Sequence, residues 1–313
     1  MSTVDRRKRH NTGHNQKMIR DVQIAFSVSD PPRTRIAATP FLKWAGGKTQ
    51  LIPQMAPFFP PSDSYKRYFE PFLGGGAVFF HLQPPNAYLS DLNEELINAF
   101  RVVRDCVGEL IESLKKHRNE ATYYYQIRAL SPRALSSVER ASRFIYLNKT
   151  CYNGLYRTNR KGQFNVPFGR YKNPRIVNEQ TLRAASLALQ GVHLWVSDFA
   201  TALAKVGEGD FVYLDPPYDP VSATANFTSY TSSDFDREDQ RRLSEIYRIL
   251  DQRGALLMLS NSATPFIREL YKGYNLIEVQ ARRAISSRGD RRGPITELLI
   301  LNYDPKHGAG AER

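Results

Sequence analysis

The sequence predicts an α/β protein built on a doubly wound, mainly parallel sheet, and two features of the 313-residue chain support this. Short apolar segments alternate with segments of helical period, as in sheets whose strands are joined by helices. Two of the apolar segments stop at an aspartate, Asp91 and Asp215, as buried strands do at a ligand-binding edge. The chain is 41% hydrophobic, which is sufficient for a sizeable core.

The strands are predicted where four to six residues are mostly apolar and lack helical spacing. In chain order they are Arg67–Pro71, Ala87–Ser90, Val192–Val196, Phe211–Leu214, Ala255–Leu259, Leu276–Val279 and Glu297–Asn302.

Helices are predicted where apolar residues recur every three or four positions. The longest is Asn93–Lys116, with Leu96, Phe100 and Val103 on one face. A hairpin over Leu155–Phe168 is predicted to turn at Arg160–Gly162. The other predicted helices are Ala77–Leu82, Ala121–Leu130, Ser137–Asn148 and Arg237–Leu250, the last stopped by Gly254.

Charge divides the chain into unlike parts. Lys and Arg outnumber Asp and Glu by eight to three in residues 1–40 and by fifteen to three in residues 115–195, whereas the net charge of the whole chain is +13. The basic middle segment is interleaved with Tyr, Asn and Gly, which favours binding to a polyanion over the alternative of a solvated helical face. Residues 1–40 are predicted to be a mostly disordered tail with a short strand near Val22–Val28, either attracting DNA or only aiding solubility.

Composition also excludes several classes of protein. No apolar run reaches the length of a membrane helix or a signal peptide. The two cysteines, Cys106 and Cys151, cannot form a disulfide framework, which fits a reducing cytoplasm. The six histidines lack ligand spacing, so no metal site is predicted.

A glycine-rich turn follows the first predicted strand. Glu70–Gly76 (EPFLGGG) lets the backbone approach a ligand closely, and Asp91 is placed to accept hydrogen bonds from ribose hydroxyls. Together they suggest an adenosine-containing cofactor. The segment Lys43–Lys48 (KWAGGK) fails as a Walker A motif because neither Leu42 nor Lys43 is the glycine that motif needs, so a nucleotide hydrolase is disfavoured.

The tetrapeptide Asp215–Tyr218 (DPPY) is the most specific feature, at the carboxyl end of a buried strand. The Asp215 carboxylate and the carbonyl of Pro216 can accept both hydrogens of an exocyclic amino group. Tyr218 offers a face on which a planar base can stack. The alternative is a proline-rich turn with a capping aspartate.

These three segments, in this order, resemble the Dam-like family of DNA adenine-N6 methyltransferases of the GATC-specific type. The resemblance extends from about Phe41 to Tyr303. It is supported by the stretches Phe144–Asn148, Tyr152–Leu155, Gly162–Tyr171 (GQFNVPFGRY), Ser222–Phe227 (SATANF) and Arg282–Ser287 (RRAISS).

The resemblance implies a Rossmann-like methyltransferase sheet with an inserted, mainly helical DNA-recognition domain that contains the β-hairpin. The catalytic, S-adenosylmethionine-binding domain would comprise residues 41–94 plus 178–303, the recognition domain residues 95–177, and a C-terminal tail residues 304–313.

Site residues follow from the same resemblance. It implies direct transfer to N6 of a flipped-out adenine in double-stranded DNA, by a monomer associated with the nucleoid. The implied catalytic residues are Asp215, Pro216 and Tyr218, and the implied cofactor-binding residues are Trp44, Lys48, Gly74, Gly76, Asp91 and Asp215. The implied DNA-binding residues are Lys43, Tyr152, Asn153, Leu155, Arg157, Pro167 and Arg170.

Alternatives remain open for function and for single residues. Tyr152 and Leu155 could belong to a hairpin core, and Arg157 could be a phosphate contact instead of a guanine reader. Arg170, Lys172, Arg288, Arg291 and Arg292 are expected to contact phosphates. A relative acting on cytosine N4 or RNA, or a DNA-binding regulator without activity, are the competing functions. Asp215 argues against the first and the intact Asp215–Tyr218 segment against the second.

Overall fold

One sheet of seven strands organises the computed structural model, which describes residues 36–221, 235–281 and 295–305. Across the sheet the strands lie in the order β3-β2-β1-β4-β5-β7-β6. Strands β1 to β5 are mutually parallel, and β7 runs antiparallel to both of its neighbours. The strands are β1 (Arg67–Glu70), β2 (Ala87–Asp91), β3 (His193–Val196), β4 (Asp210–Leu214), β5 (Leu256–Ser262), β6 (Asn275–Ala281) and β7 (Ile295–Leu301).

Helices cover both faces of this sheet. They are α1 (Ile52–Met55), α2 (Ala77–Leu82), α3 (Glu94–Asp105), α4 (Val107–Lys115), α5 (Ala121–Ala129), α6 (Ser137–Thr150), α7 (Glu179–Ala188), α8 (Phe199–Leu203), α9 (Arg237–Gln252) and α10 (Pro265–Leu270). Strand β4 shows the two layers, because its side chains alternate between faces. Phe211 and Tyr213 pack with α2 and α3, whereas Val212 and Leu214 pack with α9 and α10. The predicted doubly wound α/β fold is confirmed.

The predicted helix Asn93–Lys116 is two helices in the structure. Cys106 leaves the helical conformation, with φ −135° and ψ 36°, and α4 begins immediately after it. Its amide still donates to the Val102 carbonyl, so the break costs little hydrogen bonding. Neither glycine nor proline marks the position, and the apolar period continues through it, so the sequence could not show the break.

The predicted hairpin is also modified. The chain does reverse at the predicted turn, where the Asn159 amide donates to the Gln163 carbonyl at 2.9 Å. Backbone hydrogen bonds join the two sides, such as that from the Asn165 amide to the Arg157 carbonyl at 3.0 Å, but β-pairing is confined to isolated bridges, Thr158 with Phe164 and Cys151 with Phe168. No continuous strand forms there, and Leu155 and Val166 turn their side chains into a separate small core with Tyr124, Tyr146, Leu147 and Cys151.

Some predictions fall on residues that the structure does not describe. The described residues from Ile36 onward form one compact unit, and the division into 41–94 plus 178–303 and 95–177 remains a prediction. The predictions outside the described ranges concern residues 1–35, the strand at Val22–Val28, the stretches Ser222–Phe227 and Arg282–Ser287, Arg288, Arg291, Arg292 and residues 306–313.

The described ranges contain neither a membrane-spanning helix nor a cluster of metal ligands. Of the helices that the structure describes, none is long and apolar enough to cross a membrane. Within the same ranges, no cluster of three or more His, Cys, Asp or Glu side chains could hold a metal ion.

His117 provides a pH-dependent link between α4 and α6. Its ring stacks on Tyr146 at 4.3 Å, and its nitrogens lie 2.9 Å from the Tyr123 hydroxyl and 3.0 Å from the Ser142 hydroxyl. Burial lowers the pKa of His117 from 6.5 to about 4. Between these pH values the unfolded chain therefore binds a proton that the folded protein does not, so the free energy of unfolding falls as the pH falls.

His117→Gln should remove this contribution. Relative to wild type, the variant is expected to gain free energy of unfolding as the pH falls from 6.5 to 4, with a constant difference above pH 7. Urea denaturation across this range measures it. Parallel curves for the two proteins would show that His117 is protonated equally in both states.

Candidate active site and cofactor pocket

The site lies where the order of the strands reverses. From β1 the chain builds outward through β2 to β3, and then returns to the other side of β1 with β4. The carboxyl ends of β1 and β4 therefore lie side by side, which is where open α/β sheets bind ligands. A cleft of about 2270 Å³ opens here, lined by Trp44–Lys48, Glu70–Val78, Asp91–Glu95 and Asp215–Val221 among others.

The glycine turn after β1 forms one wall and holds Asp91 in place. Gly74 has a φ of +49° and Gly76 a φ of +69°, the left-handed region that favours glycine. The Gly74 amide donates to Asp91 Oδ2 at 3.0 Å, and the Asn93 amide donates to Oδ1 at 2.9 Å. Burial raises the pKa of Asp91, although these amides counteract the rise. Its carboxylate is thus fixed at the end of β2 with lone pairs to spare.

Trp44 closes this wall from above. A Cβ on Gly74 would lie 2.8 Å from the indole nitrogen of Trp44, so the ring rests directly on the glycine backbone. The indole also stacks on Tyr156, with centroids 5.9 Å apart and an interplanar angle of 21°. The predicted cofactor residues Trp44, Gly74, Gly76 and Asp91 are therefore neighbours in one pocket.

Lys48 connects this pocket to the Asp215–Tyr218 segment. The lysine is 4% exposed, and its Nζ lies 2.8 Å from Asp215 Oδ1 and 2.7 Å from the Gly46 carbonyl oxygen. The same Nζ lies 4.9 Å from the ring centroid of Tyr218. The buried cation therefore offsets the charge of Asp215.

One oxygen of Asp215 is engaged and the other is not. Oδ1 accepts hydrogen bonds from Ser260 Oγ at 3.0 Å and pairs with Lys48, and Ser260 is hydrogen-bonded to the Tyr213 hydroxyl at 2.8 Å. Within the described ranges, no hydrogen bond or ion pair involves Oδ2. The carboxylate is 20% exposed, so Oδ2 can accept a hydrogen bond from a ligand.

The rest of the Asp215–Tyr218 segment is held by neighbouring elements. Gln240 of α9 donates to the Pro217 carbonyl at 2.7 Å, and Asn261 of β5 accepts the Asp219 amide at 3.2 Å. As far as the structure describes the chain, the Pro216 carbonyl accepts no hydrogen bond. Its oxygen and Asp215 Oδ2 thus form a pair of unused acceptors beside the cleft.

Glu70 adds a second buried carboxyl group beneath the site. Burial raises the pKa of Glu70 to about 8, while the Tyr68 hydroxyl, donating at 2.7 Å, works in the opposite direction. Glu70 is therefore mainly protonated at neutral pH. Asp215 is the carboxylate with which Lys48 pairs directly, at 2.8 Å.

Several of the predicted DNA-binding residues are gathered on one surface. The Asn148 side chain accepts the Lys43 amide at 2.9 Å and donates to the Gly154 carbonyl at 3.1 Å, which ties Lys43 to the Tyr152–Leu155 turn. Tyr152 is 51% exposed, and its amide donates to the carbonyl of the exposed Pro167. Asn153 is exposed beside Tyr152, with a φ of +55°.

Three further predictions for this surface have different outcomes. Arg157 is half-buried, and its Nε donates to Asn165 Oδ1 at 2.7 Å, which orients the guanidinium group. Arg170 is exposed, with a φ of +54°. Leu155 is 3% exposed and packs in the core around Tyr146, as in the alternative core role, and its contact with DNA stays a prediction.

The comparisons with known proteins show to which family the chain belongs. A family model described as D12 class N6 adenine-specific DNA methyltransferase matches residues 44–285. The chain belongs to this family. It is an adenine-specific DNA methyltransferase, which confirms what the resemblance in its sequence implied.

Curated relatives cover most of the chain. Type II methyltransferase M.MjaIII of Methanocaldococcus jannaschii is 46% identical, over 84% of this chain and 99% of that protein. Type II methyltransferase M1.LlaDCHI of Lactococcus lactis subsp. cremoris is 43% identical, over 87% and 98%. DNA adenine methylase of Escherichia coli (strain K12) is 38% identical, over 85% and 95%. The solved structure of the rRNA methyltransferase aviRa from Streptomyces viridochromogenes aligns over 84% of this chain and 86% of that one. The sequence identity is 14% and the TM-score is 0.32, so nothing is concluded from this likeness.

Sequence reasoning missed several residues of the methyltransferase site. Asp198 follows β3, lines the cleft and pairs with Arg242 at 3.0 Å. The signal that identified Asp91 and Asp215, an aspartate directly after a buried strand, is weaker here, because Ser197 separates Asp198 from β3 and both ends of that strand are exposed. Ser260 and Asn148 gave no such signal, because an isolated polar residue within an apolar segment does not reveal its partner.

Proposed function

We propose that this methyltransferase transfers a methyl group from S-adenosylmethionine to N6 of adenine within GATC in double-stranded DNA. The observation that carries the proposal is the pair of unused acceptors, Asp215 Oδ2 and the Pro216 carbonyl oxygen, beside the glycine-walled pocket. An exocyclic amino group has two hydrogens to donate, which matches this pair.

The residues of the pocket fit S-adenosylmethionine in chemical type. Gly74 presents backbone without a side chain, Asp91 supplies acceptors for hydroxyl groups, and Trp44 supplies an aromatic face. Together with Lys48, Gly76 and Asp215, these residues would hold the cofactor, and Asp198 lines the same cleft. The bound cofactor supplies a methyl group already activated by its sulfonium, so the proposed route needs neither a metal nor a covalent enzyme intermediate.

The chain's own part in the reaction is to hold and orient the adenine. Asp215 and Pro216 accept both N6 hydrogens, which draws the amino nitrogen toward tetrahedral geometry and directs its lone pair into the pocket. Tyr218 stacks on the ring. Since N6 is paired inside the duplex, the base must first be extruded, and the exposed Tyr152 is suited to fill the gap that it leaves.

Recognition of DNA is assigned to the surface around Lys43 and Arg157. We propose that Arg157 and Lys43 contact guanines, that Pro167 contacts a thymine methyl group, and that Arg170 contacts phosphate. Asn153 lies beside Tyr152 at the site of base extrusion. The net charge of residues 115–195, fifteen Lys and Arg against three acids, supports DNA binding.

The test is a methylation assay with the purified full-length chain, S-adenosylmethionine and unmethylated plasmid, read by sequencing of modified bases. N6-methyladenine confined to GATC is the expected product. Transfer at a different sequence would retain the chemistry and reject the assigned recognition surface. Folded protein that binds DNA but transfers no methyl group would reject the proposal as a whole.

Arg157→Ala tests the recognition surface separately. It is expected to cost about 1–3 kcal/mol of binding and to relax discrimination at one guanine, because a bidentate contact to one base is lost. Competition binding with duplexes altered at single positions measures this. The matched control is Arg160→Ala, at the exposed turn, which should keep the sequence preference. If Arg157→Ala lowered the affinity equally for all duplexes, Arg157 would be a phosphate contact and not a guanine reader.

A further inference from the structure

The hydroxyl group of Tyr218 is hydrogen-bonded to a residue remote in the sequence. It donates to Glu297 Oε2 at 2.8 Å. Glu297 lies in β7, where its backbone is paired with Ser262 of β5 on one side and Val279 of β6 on the other. The acceptor is therefore carried by a strand that is fixed on both edges.

The position of Glu297 is unfavourable for a charged carboxylate unless a hydrogen bond compensates for its burial. Burial raises the pKa of Glu297, and the charge of Asp215 acts in the same direction. Lys48 lowers the pKa of Glu297, but that cation already pairs with Asp215 at 2.8 Å. The hydrogen bond from Tyr218 also favours the ionised form. An apolar residue here would avoid the cost of burial, so the carboxylate is explained by the hydroxyl that it accepts.

Tyr218 is thereby held at three points. Its backbone follows Pro217, whose carbonyl accepts from Gln240 at 2.7 Å. Its hydroxyl is held by Glu297, and Lys48 Nζ lies 4.9 Å from its ring centroid. Because the Tyr218 ring is held at both ends, it can rotate little about its side-chain bonds, and its orientation is set before an adenine binds.

We propose that Glu297 is a positioning residue for methyl transfer, fixing the Tyr218 ring so that the adenine stacked on it presents N6 to Asp215. This inference rests on the proposed function, in which Tyr218 is the stacking residue. Glu297 lines the same cleft and is inferred to act through the Tyr218 hydroxyl.

The test compares four variants of the full-length protein: Glu297→Leu, Glu297→Gln, Tyr218→Phe and the double variant Tyr218→Phe with Glu297→Leu. Loss of the hydrogen bond is expected to lower kcat about tenfold in Glu297→Leu and in Tyr218→Phe. KM for S-adenosylmethionine and Kd for duplex DNA should remain within about twofold of wild type, since neither contact is removed. Glu297→Gln keeps an acceptor and should recover most of kcat.

The double variant provides the decisive measurement. If Glu297 acts through Tyr218, the kcat of the double variant equals that of the slower single variant, because one hydrogen bond can be lost only once. Thermal unfolding controls for folding. Glu278→Leu, at an exposed position of β6, is the matched glutamate control, with wild-type kcat expected.

Three outcomes would overturn the inference while wild-type protein still methylates adenine. These are losses that multiply in the double variant, Glu297→Gln as slow as Glu297→Leu, or wild-type kcat in Glu297→Leu. Wild-type protein without methyl transfer would instead reject the proposed function, and this inference with it.

Discussion

Asp215→Ala is expected to lower the rate of methyl transfer by about a thousandfold while leaving DNA affinity nearly unchanged. The variant loses the acceptor for the amino group and also leaves Lys48, 4% exposed, without the carboxylate with which it pairs. Removing one preorganised polar group from a transition state costs about 10²–10³ in rate, and the loss of a charge partner adds to this. The DNA surface around Lys43 and Tyr152 is formed by other elements and should be intact.

Asp215→Asn should be nearly as inactive, for a reason that the structure provides. Lys48 and Ser260 both donate to the Oδ1 position, so the amide oxygen of an asparagine would occupy that position. Its NH₂ group would then replace Oδ2 and face the amino group of adenine, donor against donor.

Single-turnover rates and DNA-binding anisotropy, measured on the same preparations, check both variants. Asp63→Ala, an exposed aspartate before β1, is the matched control and should behave as wild type. Parallel loss of DNA affinity in Asp215→Ala would mean that the residue is structural. Activity within tenfold of wild type in Asp215→Asn would contradict the assignment of Oδ2 as the acceptor.

The parts of the site that depend on strand ends could be predicted from the sequence. Buried strands are recognisable as short apolar segments, and the residue after such a segment lies at an edge of the sheet. This placed the glycine turn, Asp91 and Asp215 at one edge before the order of the strands was known, and the structure brings all three to the same cleft. A local pattern was sufficient because parallel strands align their carboxyl ends.

The residues that hold those groups in place could not be predicted. Ser260 and Glu297 contact the Asp215–Tyr218 segment from 45 and 79 residues further along the chain. The Ser260 contact depends on β5 lying beside β4, and the Glu297 contact on β7 inserting antiparallel between β5 and β6, neither of which any periodicity specifies. The burial of Leu155 could not be settled from the sequence for a related reason, because its turn lies against the core around Tyr146 and only the packing shows which side chains point inward.

Gly74→Ala is expected to raise the dissociation constant for S-adenosylmethionine about a hundredfold. At a φ of +49° any side chain is strained, by about 1–2 kcal/mol. The added methyl group would also lie 2.8 Å from the Trp44 indole, which is itself stacked on Tyr156 and therefore cannot easily yield. Displacement of either the glycine turn or the indole opens the wall of the pocket and loosens the hydrogen bond from the Gly74 amide to Asp91.

Calorimetric titration with S-adenosylmethionine measures this effect without requiring turnover. The matched control is Gly108→Ala in the first turn of α4, where an added Cβ would meet nothing within 4 Å. That change should leave the affinity unaltered and stabilise the helix by up to about 1 kcal/mol, since alanine is the better helix former. If Gly74→Ala bound S-adenosylmethionine as tightly as wild type and Gly108→Ala, the glycine turn would not be the wall against which the cofactor lies. The pocket would then have to be sought elsewhere along the carboxyl edge, toward Asp198.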